Sequence, residues 1–117
     1  MSAPKKSISF VPSQGDIIWL VLDPRVGHEQ SGRRPALVLS PKLLTNRTNL
    51  AIICPITSQI KGLPFEVILK KTKTKGAVLP IHLRSVDVNA RQAKFIEKIS
   101  ADQLELVLRR VEALLGR

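Results

Sequence analysis

Between Gly15 and Pro41 the chain reads GDIIWLVLDPRVGHEQSGRRPALVLSP, two apolar runs of strand length separated by a polar excursion. Asp16 to Leu22 is rich in Ile, Val, Leu and Trp, and Pro24 with Gly27 breaks the run, so a strand ends near Asp23. A second strand runs from Ala36 to Ser40, entered through Pro35 and closed by Pro41. The excursion between them carries His28, Glu29, Gln30, Arg33 and Arg34. An acid, a candidate base and two guanidinium groups held between two rigid elements is an arrangement suited to binding phosphate.

The remaining segments suggest a small sheet. Leu50 to Ile56 is continuously apolar, as expected of a strand covered on both faces, and it leaves Thr57, Ser58 and Gln59 at its end. Phe65 to Leu69 and Ala77 to Leu83 read as strands joined by KKTKTKG, a solvated basic connector that turns at Gly76. Ser85 to Val88 and Ala93 to Ile99 are shorter strand candidates, and Lys42 to Asn49 reads as one helical turn or an ordered loop. The last element is different: Ser100 and Gln103 form a capping-box pattern, followed by Leu104, Val107, Leu108, Val111, Leu114 and Leu115 at helical spacing. A mainly β fold, a small curled or closed sheet with one C-terminal amphipathic helix packed on it, is the expected architecture. Residues 1–14 are expected to be a flexible arm, and 15–117 a single domain.

Composition narrows the chemistry. Nineteen Lys and Arg against nine Asp and Glu leave a net charge of +10, which attracts polyanions and makes nucleic acid the first partner to consider. Two histidines, one cysteine and scattered acids do not supply clustered metal ligands, and no metal site or cofactor is expected. No Gly-rich phosphate loop and no nucleophile-elbow serine is present. Cys54, inside LAIICPI, reads as a buried thiol, and Trp19, inside its strand, as core. No leader-like segment opens the chain and no apolar stretch approaches membrane-spanning length, so the expectation is a soluble cytoplasmic protein with no membrane partner.

RNA cleavage suits this inventory because the substrate carries its own nucleophile. The 2′-hydroxyl attacks the adjacent phosphate, and the protein must deprotonate it, neutralise the developing charge and protonate the leaving 5′-oxygen. Arg34 is suited to the phosphate, Glu29 to accepting a proton or orienting Arg34, and Thr57 to donating a hydrogen bond. His28 and His82 are acid–base candidates by their ordinary pKa.

These segments, together with CPITSQIKGLPFEV and SVDVNARQAKFIEKI, resemble the MazF/PemK toxin endoribonucleases of bacterial toxin–antitoxin systems. The resemblance implies an SH3-like small barrel with a C-terminal helix, acting as a homodimer. It also implies cleavage of single-stranded mRNA at short motifs, without metal or ribosome, leaving 2′,3′-cyclic phosphate and 5′-hydroxyl ends, and neutralisation by a cognate acidic antitoxin. By motif, Arg34 and Thr57 are the catalytic pair and Glu29 supports them. His28, Gln30, Arg33, Ser58, Gln59 and His82 are placed on the RNA path. Where many relatives carry an acid followed by Gln, this chain has Ile81 and His82, so that acid's role does not transfer. Two other readings of the same residues are a non-catalytic SH3-like module binding nucleic acid or protein, and a degenerate toxin relative retained for interaction.

Overall fold

A computed structural model describes residues 10–21 and 32–117 of the chain. Among the described residues seven short strands and two helices follow one another: β1 (Asp16–Val21), β2 (Arg33–Val38), α1 (Lys42–Thr48), β3 (Leu50–Thr57), β4 (Val67–Ile68), β5 (Ala77–Val78), β6 (Arg84–Asp87), β7 (Lys94–Lys98) and α2 (Ala101–Leu114). A 3-10 turn, Pro80–His82, lies between β5 and β6. The strands form one sheet in the order β4-β5-β3-β2-β1-β7, with β6 added to β3, and every pairing is antiparallel.

Both faces of this sheet are apolar, which explains the unbroken hydrophobic run of β3. Ile17, Leu37, Cys54, Ile56 and Val78 point to one side, where α2 covers them with Val107 fully buried and Leu104, Leu108 and Val111 packed around it. Ile18, Leu20, Ala36, Val38, Ile53 and Val86 point to the other side, where Phe10 adds to the cluster. Alternation along each strand sends neighbouring residues into the two clusters.

The expectation of a mainly β curled sheet with a C-terminal helix holds, and the curl is that of a half-barrel. Its far edge is joined to β7 by side-chain chemistry. The Glu97 carboxylate on β7 accepts hydrogen bonds from the Lys73 and Thr74 amides at 3.0 and 2.8 Å, and from the Thr74 hydroxyl at 2.8 Å. Gln103 on α2 makes a reciprocal pair with the Lys70 backbone, accepting from its N–H at 2.9 Å and donating to its carbonyl at 2.7 Å.

Several sequence expectations are corrected. β2 begins at Arg33, three residues before Ala36, because Val21, Leu20 and Trp19 already pair with Arg33, Arg34 and Pro35. Pro35 is therefore inside the strand. Lys42–Thr48 is a full helix of 7 residues, stopped by Asn49 in the left-handed region at φ 64. The expected strands 65–69 and 77–83 shrink to two residues each. Phe65, at φ 68, is outside the extended region, and the fixed ring of Pro80 opens the 3-10 turn. Ser100 caps α2 by accepting from the Gln103 amide at 3.2 Å, but the Gln103 side chain reaches Lys70 instead of completing a capping box.

Residues 10–14, assigned above to the arm, are tied down. Pro12 is fully buried, the Gln14 amide donates to the Leu39 carbonyl at 2.8 Å, and the Ser13 N–H donates to Asp16 at 2.9 Å. Asp16, a buried carboxylate, also pairs with Lys98 at 2.8 Å.

Candidate functional site

The ends of β1, β2 and β3 open onto a groove of about 1030 Å3. β2 contributes Arg33, Arg34 and Pro35; β3 and the residues after it contribute Pro55 to Gln59; β1 contributes Trp19; the segment between β4 and β5 contributes Lys73, Thr74 and Lys75. Leu79 and Ile96 complete its apolar lining. Among the described residues four that line it are cationic and none is acidic, which gives them a positive surface over an apolar base.

Register places the two central side chains. β2 and β3 are paired at Val38–Ile53, Leu37–Cys54 and Ala36–Pro55. Continued by two residues, that register sets position 34 against position 57, and both side chains line the groove. Alternation puts Arg34 on the face of Ala36 and Val38, and Thr57 on the face of Pro55 and Ile53. The β2–β3 pairing has ended here, while Arg34 stays paired with Leu20 and Thr57 with Ala77 on their other edges, so both side chains are held by strands at the rim of the groove. A guanidinium and a hydroxyl lining one groove offer two kinds of donor to a tetrahedral anion.

The local bonds keep these groups available. Arg34 makes a peripheral bond, Nη1 to the Arg33 carbonyl at 3.3 Å, and is exposed. The Thr57 hydroxyl accepts from the Gln59 amide at 3.1 Å, a local turn that orients the oxygen and holds Ser58 and Gln59 at the mouth. Behind Thr57 lies Gly76, at φ 129, in contact with the Thr57 and Ser58 backbone.

Trp19 is not the core residue that its strand position suggests. It is half-buried, belongs to neither apolar cluster, and lines the groove. The Arg33 guanidinium carbon sits 4.5 Å from its ring centroid, a cation–π stack that uses the quadrupole of the indole face. Sequence periodicity missed this because an alternating strand gives the same pattern whether its last inward position meets core or the floor of a groove. Lys73 and Lys75 were missed for a similar reason: a run of lysines between strands reads as solvated until its docking on Glu97 is seen.

Of the residues carried from sequence, Arg33, Arg34, Thr57, Ser58 and Gln59 come together in the groove. His28, Glu29 and Gln30 lie outside the described residues. His82 is exposed on the 3-10 turn and does not line the groove. Cys54 is fully buried on β3, and burial pushes its thiol up to about 12, so it is a packing residue. Among the described residues no three of His, Cys, Asp and Glu are grouped as metal ligands. No helix among them is long and apolar enough to cross a membrane.

Comparison with known proteins gives the same architecture in related chains. The chain is 38% identical over 107 residues to the "Endoribonuclease toxin MazF" of Escherichia coli K12, covering 92% of this chain and 96% of that one. It superposes with a TM-score of 0.83 and 44% identity on a crystal structure of MazF from Deinococcus radiodurans, covering 93% of this chain and 100% of that one. A crystal structure of MazE-MazF from the same organism matches with a TM-score of 0.83 and 42% identity, over 92% and 98% of the two chains. The profile of the family described as "PemK-like, MazF-like toxin of type II toxin-antitoxin system" matches residues 13–115. Extending from the docked Ser13 turn to the end of α2, that match takes in the whole sheet and the groove, and the chain belongs to the PemK-like, MazF-like toxin family.

Proposed function

We propose that this protein is the toxin of a type II toxin–antitoxin system and an endoribonuclease that cuts single-stranded mRNA. The observation that carries the reading is the gathering of Arg34 and Thr57, with Arg33, Ser58 and Gln59, in one groove lined by cations.

The chemistry follows from the substrate. The 2′-oxygen loses its proton and forms a bond to the adjacent phosphorus while the bond from phosphorus to the 5′-oxygen breaks. The departing oxygen takes up a proton, and the products are a 2′,3′-cyclic phosphate and a 5′-hydroxyl. Charge grows on the non-bridging oxygens along this path, and preorganised donors that meet it there lower the barrier. Arg34 supplies a planar cationic fork, and Thr57 supplies a hydroxyl already oriented by its turn. Glu29, by its motif, orients or tunes Arg34. The nucleophile comes from the RNA and the charge neutralisation from arginine, so the scheme needs neither metal nor ribosome.

The same groove accounts for control. A groove lined by Arg33, Arg34, Lys73 and Lys75 is complementary to an acidic segment, and an antitoxin tail laid in it excludes RNA by occupancy. The reading includes a homodimer and a cytoplasmic location, as the family resemblance implies.

The test is incubation of a long RNA with purified protein in chelator, with cut sites mapped by primer extension and ends analysed chemically. Discrete cuts with cyclic phosphate ends, abolished by Arg34→Ala, are the expected result. Salt-sensitive binding without cut products would leave a binding module in place of the enzyme.

A further inference from the structure

The segment between β4 and β5 is built more rigidly than a connector requires. Its base is closed by the Leu69 N–H donating to the Gly76 carbonyl at 2.9 Å. Its middle is held by the three Glu97 hydrogen bonds from β7, and its start by the Gln103 pair from α2. Inside it the Thr72 hydroxyl donates to the Thr74 carbonyl at 2.6 Å, and the Lys75 ammonium donates to the Thr72 carbonyl at 3.3 Å. The exposed residues left on this framework are lysines, and Lys73 and Lys75 line the groove together with Arg33 and Arg34. The Glu97 carboxylate holds this segment through two backbone amides and the Thr74 hydroxyl, and its charge offsets part of that of Lys73, so Lys73 and Lys75 together still leave a net positive charge on the groove side.

We propose that residues 70–76 form a fixed phosphate rail, in which Lys73 and Lys75 contact the backbone of single-stranded RNA beside the scissile phosphate and Glu97 is the positioning residue that holds them there. The inference rests on the reading of the groove as an RNA site and deepens it. A rail of this kind adds affinity without sequence preference, because ammonium groups meet phosphates and not base edges. Its rigidity lowers the ordering cost that a mobile lysine loop would incur on binding.

The experiment uses the full chain and a mixed-sequence, fluorescently labelled single-stranded 2′-deoxy oligonucleotide, which lacks the attacking hydroxyl and stays intact. Affinity is measured against salt. Each phosphate contact contributes about 0.7 to the slope of log affinity against log salt for single strands. Lys73→Ala with Lys75→Ala is expected to flatten the slope by about 1.4. The same loss of charge at Lys42 and Arg47 on α1, outside the groove, is expected to change it by less than half as much. Glu97→Gln is expected to flatten the slope toward the double-lysine value and to raise KM for RNA while kcat changes little. Adding the lysine changes to Glu97→Gln should produce little further effect. Thr74→Val, which removes one of the three anchoring bonds, serves if Glu97→Gln fails to fold, and should move the slope in the same direction by a smaller amount.

An unchanged slope in the double-lysine variant, or an equal change in the α1 control, overturns the rail. An unchanged slope in a folded Glu97→Gln protein overturns the role of Glu97. Failure of the wild-type protein to cut RNA, with the lysine-dependent slope intact, removes the enzymatic reading and leaves the rail standing.

Discussion

Gly76 packs directly against the peptide of Thr57: a β-carbon at position 76 would collide with the Thr57 carbonyl oxygen and lie 2.9 Å from the carbonyl carbon. The residue that leads into β5 and the catalytic candidate on β3 are thus in backbone contact, and the φ of 129 at Gly76 is one that side-chain-bearing residues rarely adopt. Gly76→Ala is expected to destabilise the protein by at least about 2 kcal/mol, from backbone strain and overpacking together. It should also lower RNA cleavage by more than the folded fraction accounts for, since Thr57 is displaced. Thermal unfolding measured alongside cleavage by the folded protein checks this.

Arg34→Lys separates charge from geometry. Lysine keeps the positive charge but loses the fork, so cleavage is expected to fall about 10²-fold or more while stability stays within about 0.5 kcal/mol, because residue 34 is exposed. Cleavage near the wild-type rate would mean that the site needs only a cation there. Thr57→Ser, keeping the hydroxyl, should retain far more activity than Thr57→Val.

His82 stands on the 3-10 turn outside the groove, so His82→Ala is expected to cut RNA at the wild-type rate and at the same motif. Cut-site mapping on one long RNA reads both quantities. An altered motif would show that RNA travels beyond the groove of a single chain.

Glu97 has a direction in pH. Burial acts to raise its pKa, but the Lys73 and Thr74 amides, the Thr74 hydroxyl and the nearby Lys73 charge together bring it below its ordinary 4.5. A carboxylate lowered on folding contributes stability above its unfolded pKa and loses it as pH falls through the folded value. The melting-temperature gap between wild type and Glu97→Gln should therefore be full at pH 7 and narrow as the pH drops below about 4.5. A gap that stays constant down to pH 3 would remove the charge from the anchoring role.

Trp19 is the chain's single tryptophan and is stacked under Arg33 at the groove, which makes it a built-in reporter. Its emission is expected to change on binding the 2′-deoxy oligonucleotide, and to shift to longer wavelength in free Arg33→Ala as the ring loses its cover. Unchanged emission on saturable binding would place the nucleic acid elsewhere.

Much of the frame was legible in the residues. The apolar runs of β1 and β3 and the helical spacing from Leu104 to Leu115 follow from local periodicity, which one chain carries in full. That Arg34 and Thr57 share a groove was legible only through whole motifs that resemble a family, since 22 intervening positions say nothing by themselves about register.

What the linear chain determined was which segments are apolar on both faces, where the helix begins at Ser100, and that the surface is cationic, because each of these depends on side-chain type and spacing alone. Tertiary structure decided the rest. It set Trp19 at the groove and not in the core, pressed Gly76 against Thr57, and turned KKTKTKG from a connector into a wall held by Glu97 from another strand. Those relationships join residues 14 or more positions apart, and the free energy that selects them comes from sheet curl and long-range hydrogen bonds, which no local window contains.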